Sequence, residues 1–157
     1  MKLLTVALLA FLLTGASLAA AEEVTRDSYK AAVEPICKAN TQANEKILKG
    51  VRAEVKAGKL KLAGAQFSKA AAALKQAYAQ LGAVPQPPAD TAKLGKWLAY
   101  VKTEASLFEE AAKALGAGNK TKAQTIVVKL THNANLANDQ VISFGFRYCK
   151  LEPSKFT

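Results

Sequence analysis

Residues 120–149, KTKAQTIVVKLTHNANLANDQVISFGFRYC, decide how the rest of this chain is read. Ala123, Ile126, Val127, Leu130, Ala134, Ala137, Val141, Phe144 and Tyr148 recur at helical spacing, which predicts one long helix with a single buried face. A second row, Asn138, Ile142, Gly145 and Cys149, lies round the side of that stripe, where it would meet one neighbouring helix. The stretch ends on a cysteine, and the sequence holds only one other, Cys37.

Working outward, Cys37 sits near the start of a second apolar periodicity. Thr25 is a candidate N-cap, flanked by Val24 and Tyr29 at the spacing of a hydrophobic staple. Pro35 removes a backbone donor, so the helix either kinks near residues 31–34 or restarts at the proline. Ile36, Asn40, Ala43, Asn44, Ile47, Val51 and Val55 then hold one face as far as Ala57, and Gly58 stops it. A further helix is predicted over 60–81, with small residues, Gly64 and Ala71, that let a neighbour approach closely. After Gly82, the run Ala83-Val84-Pro85-Gln86-Pro87-Pro88-Ala89 predicts a stiff extended connection without helix. Asp90 is then a candidate N-cap for a helix over 91–115, whose buried row is led by Trp97. Asn119 is placed to cap the last helix.

No strand-period run occurs. The fold class expected is all-α: a four-helix up-down-up-down bundle, with its first and last helices joined by a Cys37–Cys149 disulfide. One length does not match. At ~1.5 Å per residue, 37–57 spans ~30 Å and 120–149 spans ~44 Å. The last helix therefore overhangs by about two turns or breaks near Asn133-Ala134-Asn135.

The N-terminus reads as an export signal: Met1-Lys2, an apolar run from Leu3 to Leu13, and Ala19-Ala20-Ala21 as a cleavage site. The expected organisation is a signal peptide over 1–21, a helical bundle domain over 22–152 and a short C-terminal tail over 153–157. The apolar run is short for a bilayer span, and no transmembrane segment is expected in the mature chain. Export to a periplasmic, envelope or secreted location supplies the oxidising setting in which two cysteines pair. The full chain carries a formal net charge of +10, which becomes +9 without Lys2, and most of its basic residues are lysines. Solvated helix faces account for such a surplus, and attraction to anionic envelope polymers or lipid headgroups is the functional alternative. The absence of any aromatic-interleaved basic motif argues against nucleic acid as a partner.

Candidate chemistry is sparse. Asn40 and Asn44 on the first helix and Asn138 on the last interrupt apolar faces. They are expected either to form a polar seam that fixes register or to line a small ligand pocket. His132 falls on the outer face, and Glu-x-x-His is missing because Lys129 stands at the acidic position. Asn133 and Asn135 are expected to be exposed or to cap a helix break. Glu54 and Glu104 lie at the edges of their apolar faces. No Cys-x-x-Cys-His is present, and an axial tyrosine, Tyr78, Tyr100 or Tyr148, is the haem ligand left open. No catalytic constellation, metal motif or phosphate loop is found, so neither an enzyme nor a cofactor is expected. A non-enzymatic binding or interaction module, with an envelope or protein partner, is the leading reading. A small-molecule or haem carrier using the bundle interior is the alternative.

The ending Phe144-Gly145-Phe146-Arg147-Tyr148-Cys149 and the Cys37-Lys38-Ala39-Asn40 start resemble small exported bacterial helical proteins of unknown function. That resemblance implies the helical layout and brings no activity with it.

Overall fold

A computed structural model describes residues 23–155, which form five α-helices and, among the described residues, no strand. The expected signal peptide lies outside the described residues. Four long helices pack together: α1 (Arg26–Ile47), α3 (Leu60–Gly82), α4 (Thr91–Gly116) and α5 (Lys120–Val141), with a short α2 (Val51–Lys56) between the first two. The most extensive packing is α3 on α4 and α4 on α5, while α1 lies on α3.

The start of α1 is fixed as its sequence predicts. The Ser28 amide donates to the Thr25 hydroxyl and the Thr25 amide donates to the Ser28 hydroxyl, closing a capping box. The helix runs on through Pro35, whose ring is exposed, and neither ends nor restarts there. It does not reach Ala57. Gly50 adopts φ 85°, a left-handed conformation open to glycine, and separates α1 from α2.

The last helix differs from its predicted extent for the same physical reason. It is continuous through Asn133 and Asn135, so the expected break there is absent, but it stops at Val141 rather than Cys149. A single 3-10 turn, Ile142–Phe144, comes next, and Gly145 at φ 58° then turns the chain. Phe144 stays buried after the turn, which kept the apolar pattern looking unbroken. Ile142, expected in the second row, is 78% exposed. The excess length is thus removed at the C-terminal end.

Beyond Gly145 the chain forms a strap rather than a helix end. Residues 146–155 run alongside α1 in its own direction, from the Lys30 level to the Arg52 level. The Lys30 ammonium donates to the Gly145 carbonyl at 2.8 Å, and the Glu34 carboxylate accepts the backbone amides of Arg147 and Tyr148. Cys149 is bonded to Cys37 with a Cα–Cα distance of 5.0 Å, within the ordinary range for a disulfide. Asn138 then exchanges two hydrogen bonds with the Leu151 backbone, and Arg52 donates to the Ser154 carbonyl. Pro153, placed in the tail by its sequence, is buried. The disulfide therefore joins α1 to the strap, not to the last helix itself.

At the disulfide end, Asp90 takes the N-cap position of α4 but its side chain makes no cap hydrogen bond. Its buried carboxylate instead receives two 2.6 Å hydrogen bonds from Arg26, whose guanidinium also lies 5.2 Å from the centre of the Phe144 ring. One cation thus ties the start of α1 to the connection before α4 and to the turn after α5. The proline-rich connection closes with a 3-10 turn, Pro88–Asp90, where no helical turn was predicted.

Gly64 is where α3 and α4 approach closely, as its size predicts. A Cβ built there would lie 2.9 Å from the Ala112 carbonyl oxygen and 2.9 Å from the Gly116 amide nitrogen, both rigid backbone atoms. Gly95, exposed on α4, has nothing within 4 Å of such a Cβ. The two glycines should therefore respond oppositely to alanine. Gly64→Ala is expected to lower unfolding free energy by about 1–3 kcal/mol through overpacking, and Gly95→Ala to raise it by up to ~1 kcal/mol through helix propensity. Denaturant titration of both variants checks this, and a stabilised Gly64→Ala would contradict the packing described.

Candidate functional site

The core is divided into two apolar clusters. One surrounds the disulfide and holds Tyr29, Val33, Trp97, Phe144 and Phe146. The other lies toward α2 and holds Leu48, Phe67, Phe108, Ile126 and Leu130. In chain order along α1 and α5, Asn44 and Asn133 fall between members of the first cluster and members of the second, and Glu104 lies near the same changeover on α4. These three polar residues are buried.

The structure corrects two expectations here. Asn133 is neither exposed nor capping a break: its amide nitrogen donates to the Tyr100 carbonyl at 3.0 Å and to the Glu104 carboxylate at 2.8 Å. Glu104 is not an edge carboxylate but is 3% exposed. Its helical position, between Val101 and Phe108, was the signal that placed it close to the buried row. Glu54 is half-buried on α2, away from this pair in the chain.

The asparagines singled out in the sequence take separate partners. Asn44 donates to the Asn40 side-chain carbonyl at 3.4 Å within α1, and its own side-chain oxygen is buried without a partner among the described residues. Asn138 is engaged with the strap at Leu151 rather than with Asn44. Asn40 and Glu104, with Thr41 and Lys150, line a cavity of about 50 Å³ between α1, α4 and the strap. Burial pushes the Glu104 carboxyl up to about 7, with the Asn133 hydrogen bond pulling the other way. This pair can hold a proton near neutral pH. Among the described residues no three His, Cys, Asp or Glu groups are placed to hold a metal ion.

His132 is exposed on the outer face, as its position predicts. Tyr78, Tyr100 and Tyr148 are half-buried against the disulfide-end cluster, and Tyr148 is flanked by Lys38 and Arg147 at 5.5 and 5.2 Å from its ring centre. Tyr29, which the sequence places only as a staple residue, is buried at that end, and burial pushes its hydroxyl up to about 12.

A larger cavity, about 320 Å³, opens at the opposite end of the bundle. Its buried floor is formed by Phe67, Ala111, Leu115 and Ala123, with Val55 and Val127 half-buried at its sides. Arg52 and Lys56 of α2 and Lys120 at the start of α5 also line it and are exposed. The sequence did not reveal this site, because residues 51–56 read as a continuation of the first helix, and the Gly50 break is what carries them across the bundle end. No protein-family model, no curated protein and no solved structure matches the chain.

The Glu104 shift has a direct consequence for stability. The folded chain holds this proton more tightly than the unfolded chain, whose carboxyl titrates near 4.5. The stabilisation is therefore complete below that value and is lost as pH rises through about 7, by up to about 3 kcal/mol. Glu104→Gln keeps an acceptor for Asn133 and removes the ionisation. Unfolding free energies measured from about pH 5 to about pH 8 should fall for the wild type relative to the variant. Parallel profiles for the two proteins would contradict the burial of an ionisable Glu104.

Proposed function

We propose that this protein is exported with removal of residues 1–21 and acts as a non-enzymatic binding module at the cell envelope, attaching to anionic polymers or lipid headgroups. We read its topology as up-down-up-down. Supporting that reading, the beginning of α3 lies against the end of α4 at Gly64, and short reversals join the helices on either side of residues 57–59 and 117–119. The disulfide is compatible with an oxidising location outside the cytoplasm. No helix among the described residues is long and apolar enough to cross a membrane.

The distribution of charge carries the reading. Among the described residues every lysine except Lys30 is exposed, whereas Asp90 and Glu104 are buried and the Glu34 carboxylate is committed to the strap amides. The surface offered to a partner therefore carries nearly all of the lysine charge. Lysine-rich surfaces attract anionic polymers over a Debye length, which shrinks from ~30 Å at 0.01 M salt to ~8 Å at 0.15 M. A second reading, a small-molecule carrier, is favoured by the cavity at the α2 end.

Co-sedimentation of the mature protein with anionic phospholipid vesicles and with isolated cell-wall polymer tests the first reading. Binding should be strong near 10 mM salt and largely lost by about 300 mM. No binding to either preparation, or binding insensitive to salt, would remove the envelope role.

A further inference from the structure

The cavity under α2 combines an apolar interior with a one-signed rim. Val51, Phe67, Ala111, Leu115 and Ala123 are buried around it, and among the described residues its only neutral polar lining residue is Gln124. Among the described residues no acidic side chain lines it, while Arg52, Lys56 and Lys120 all do, from exposed positions. Lys120 is also the first residue of α5, a helix of 22 residues, so the positive end of that helix faces the same side. Arg52 donates to the Ser154 carbonyl, which leaves the remaining N–H groups of its guanidinium for another acceptor.

We infer that this cavity binds a single-chain anionic amphiphile: an unbranched acyl chain whose tail enters the apolar interior and whose terminal carboxylate meets Arg52, Lys56 and Lys120. The volume, about 320 Å³, lies at the lower end of the range for ligand pockets, ~300–1,000 Å³, and suits one chain rather than two. An apolar chain replaces poor hydration of the interior with close contacts. The rim selects the sign of the head: an anion gains three nearby cations, a neutral alcohol gains only the interior, and a cationic head is repelled. Two of the three cations and two of the valines belong to α2, so the site exists because the helix breaks at Gly50 and its continuation packs across the bundle end. The site rests on the envelope reading above for its setting but not for its chemistry, since a monomeric ligand is bound rather than a lipid bilayer.

Calorimetric titration of the disulfide-bonded protein with dodecanoate, below its aggregation concentration, tests the site beside dodecanol and dodecyltrimethylammonium. One-to-one binding of dodecanoate is expected, with dodecanol at least about tenfold weaker and no binding of the cation. Replacing Arg52, Lys56 and Lys120 together by alanine should bring dodecanoate to the level of the alcohol. Ala123→Phe should abolish binding by filling the interior. Should that variant fail to fold, Val127→Glu, at a half-exposed wall position, should weaken dodecanoate binding by at least about tenfold, equal to a loss of about 1.4 kcal/mol. Absence of dodecanoate binding, equal affinity for the alcohol, or binding unchanged in whichever of the two cavity variants folds would overturn the assignment. Dodecanoate binding without salt-sensitive vesicle binding would preserve this site and remove the envelope role, and the converse would do the reverse.

Discussion

A bundle whose first and last helices are not closely packed leaves a gap along one side, and in this protein the bond between Cys37 and Cys149 keeps that gap filled. The covalent link holds the strap beside α1 at its midpoint, and the Glu34, Asn138 and Arg52 contacts then align it above and below. With a sequence separation of 112, the closed loop contributes about 4–5 kcal/mol in the chain-entropy model. The strap also brings buried apolar groups with it. Phe146 lies 5.7 Å from Trp97 and 5.3 Å from Phe144, ring centre to ring centre, so the aromatic part of the disulfide-end core depends on where the strap is held.

The two ends of the molecule differ in consequence. The disulfide end is dense with aromatic rings and is clamped by the Arg26–Asp90 pair, and the strong hydrogen bond from Arg26 holds the Asp90 carboxyl below its ordinary range. The α2 end is closed only by a six-residue helix and retains a cavity. Near where the two apolar clusters adjoin, Asn44, Glu104 and Asn133 are buried. Burying a carboxyl is costly unless it is neutralised or bonded. The Asn133 amide and the tendency of Glu104 to keep its proton together meet that cost, and they restrict how α4 and α5 slide past each other.

The helices were legible in the sequence where apolar periodicity is long and its ends are marked chemically. Thr25 and Asn119 cap where their side chains suggested, and Trp97, Leu130, Gly64 and Ala71 are buried as the pattern predicts. Cys37 and Cys149 pair, as an even count of cysteines allows. The errors lie at glycines and at polar residues near apolar faces. Gly50 and Gly145 are each followed by further members of the apolar rows, Val51 and Tyr148, so the periodicity passes straight through them although the helix does not. Alone, Glu104 reads as an edge carboxylate and Asn133 as an exposed or capping residue; only their meeting across α4 and α5 makes burial acceptable, and a single periodicity carries no information about that pairing. Asp90 was read locally, as a cap, while its partner Arg26 lies 64 positions away.

The strap depends on the disulfide for its place beside α1, and amide hydrogen exchange of residues 146–155 measures that dependence. In the oxidised protein the Tyr148 and Leu151 amides, bonded to Glu34 and Asn138, should be protected. After reduction they should lose that protection while amides within α3 and α4 keep theirs. Free-chain exchange of these amides with the disulfide intact, or equal protection before and after reduction, would contradict it.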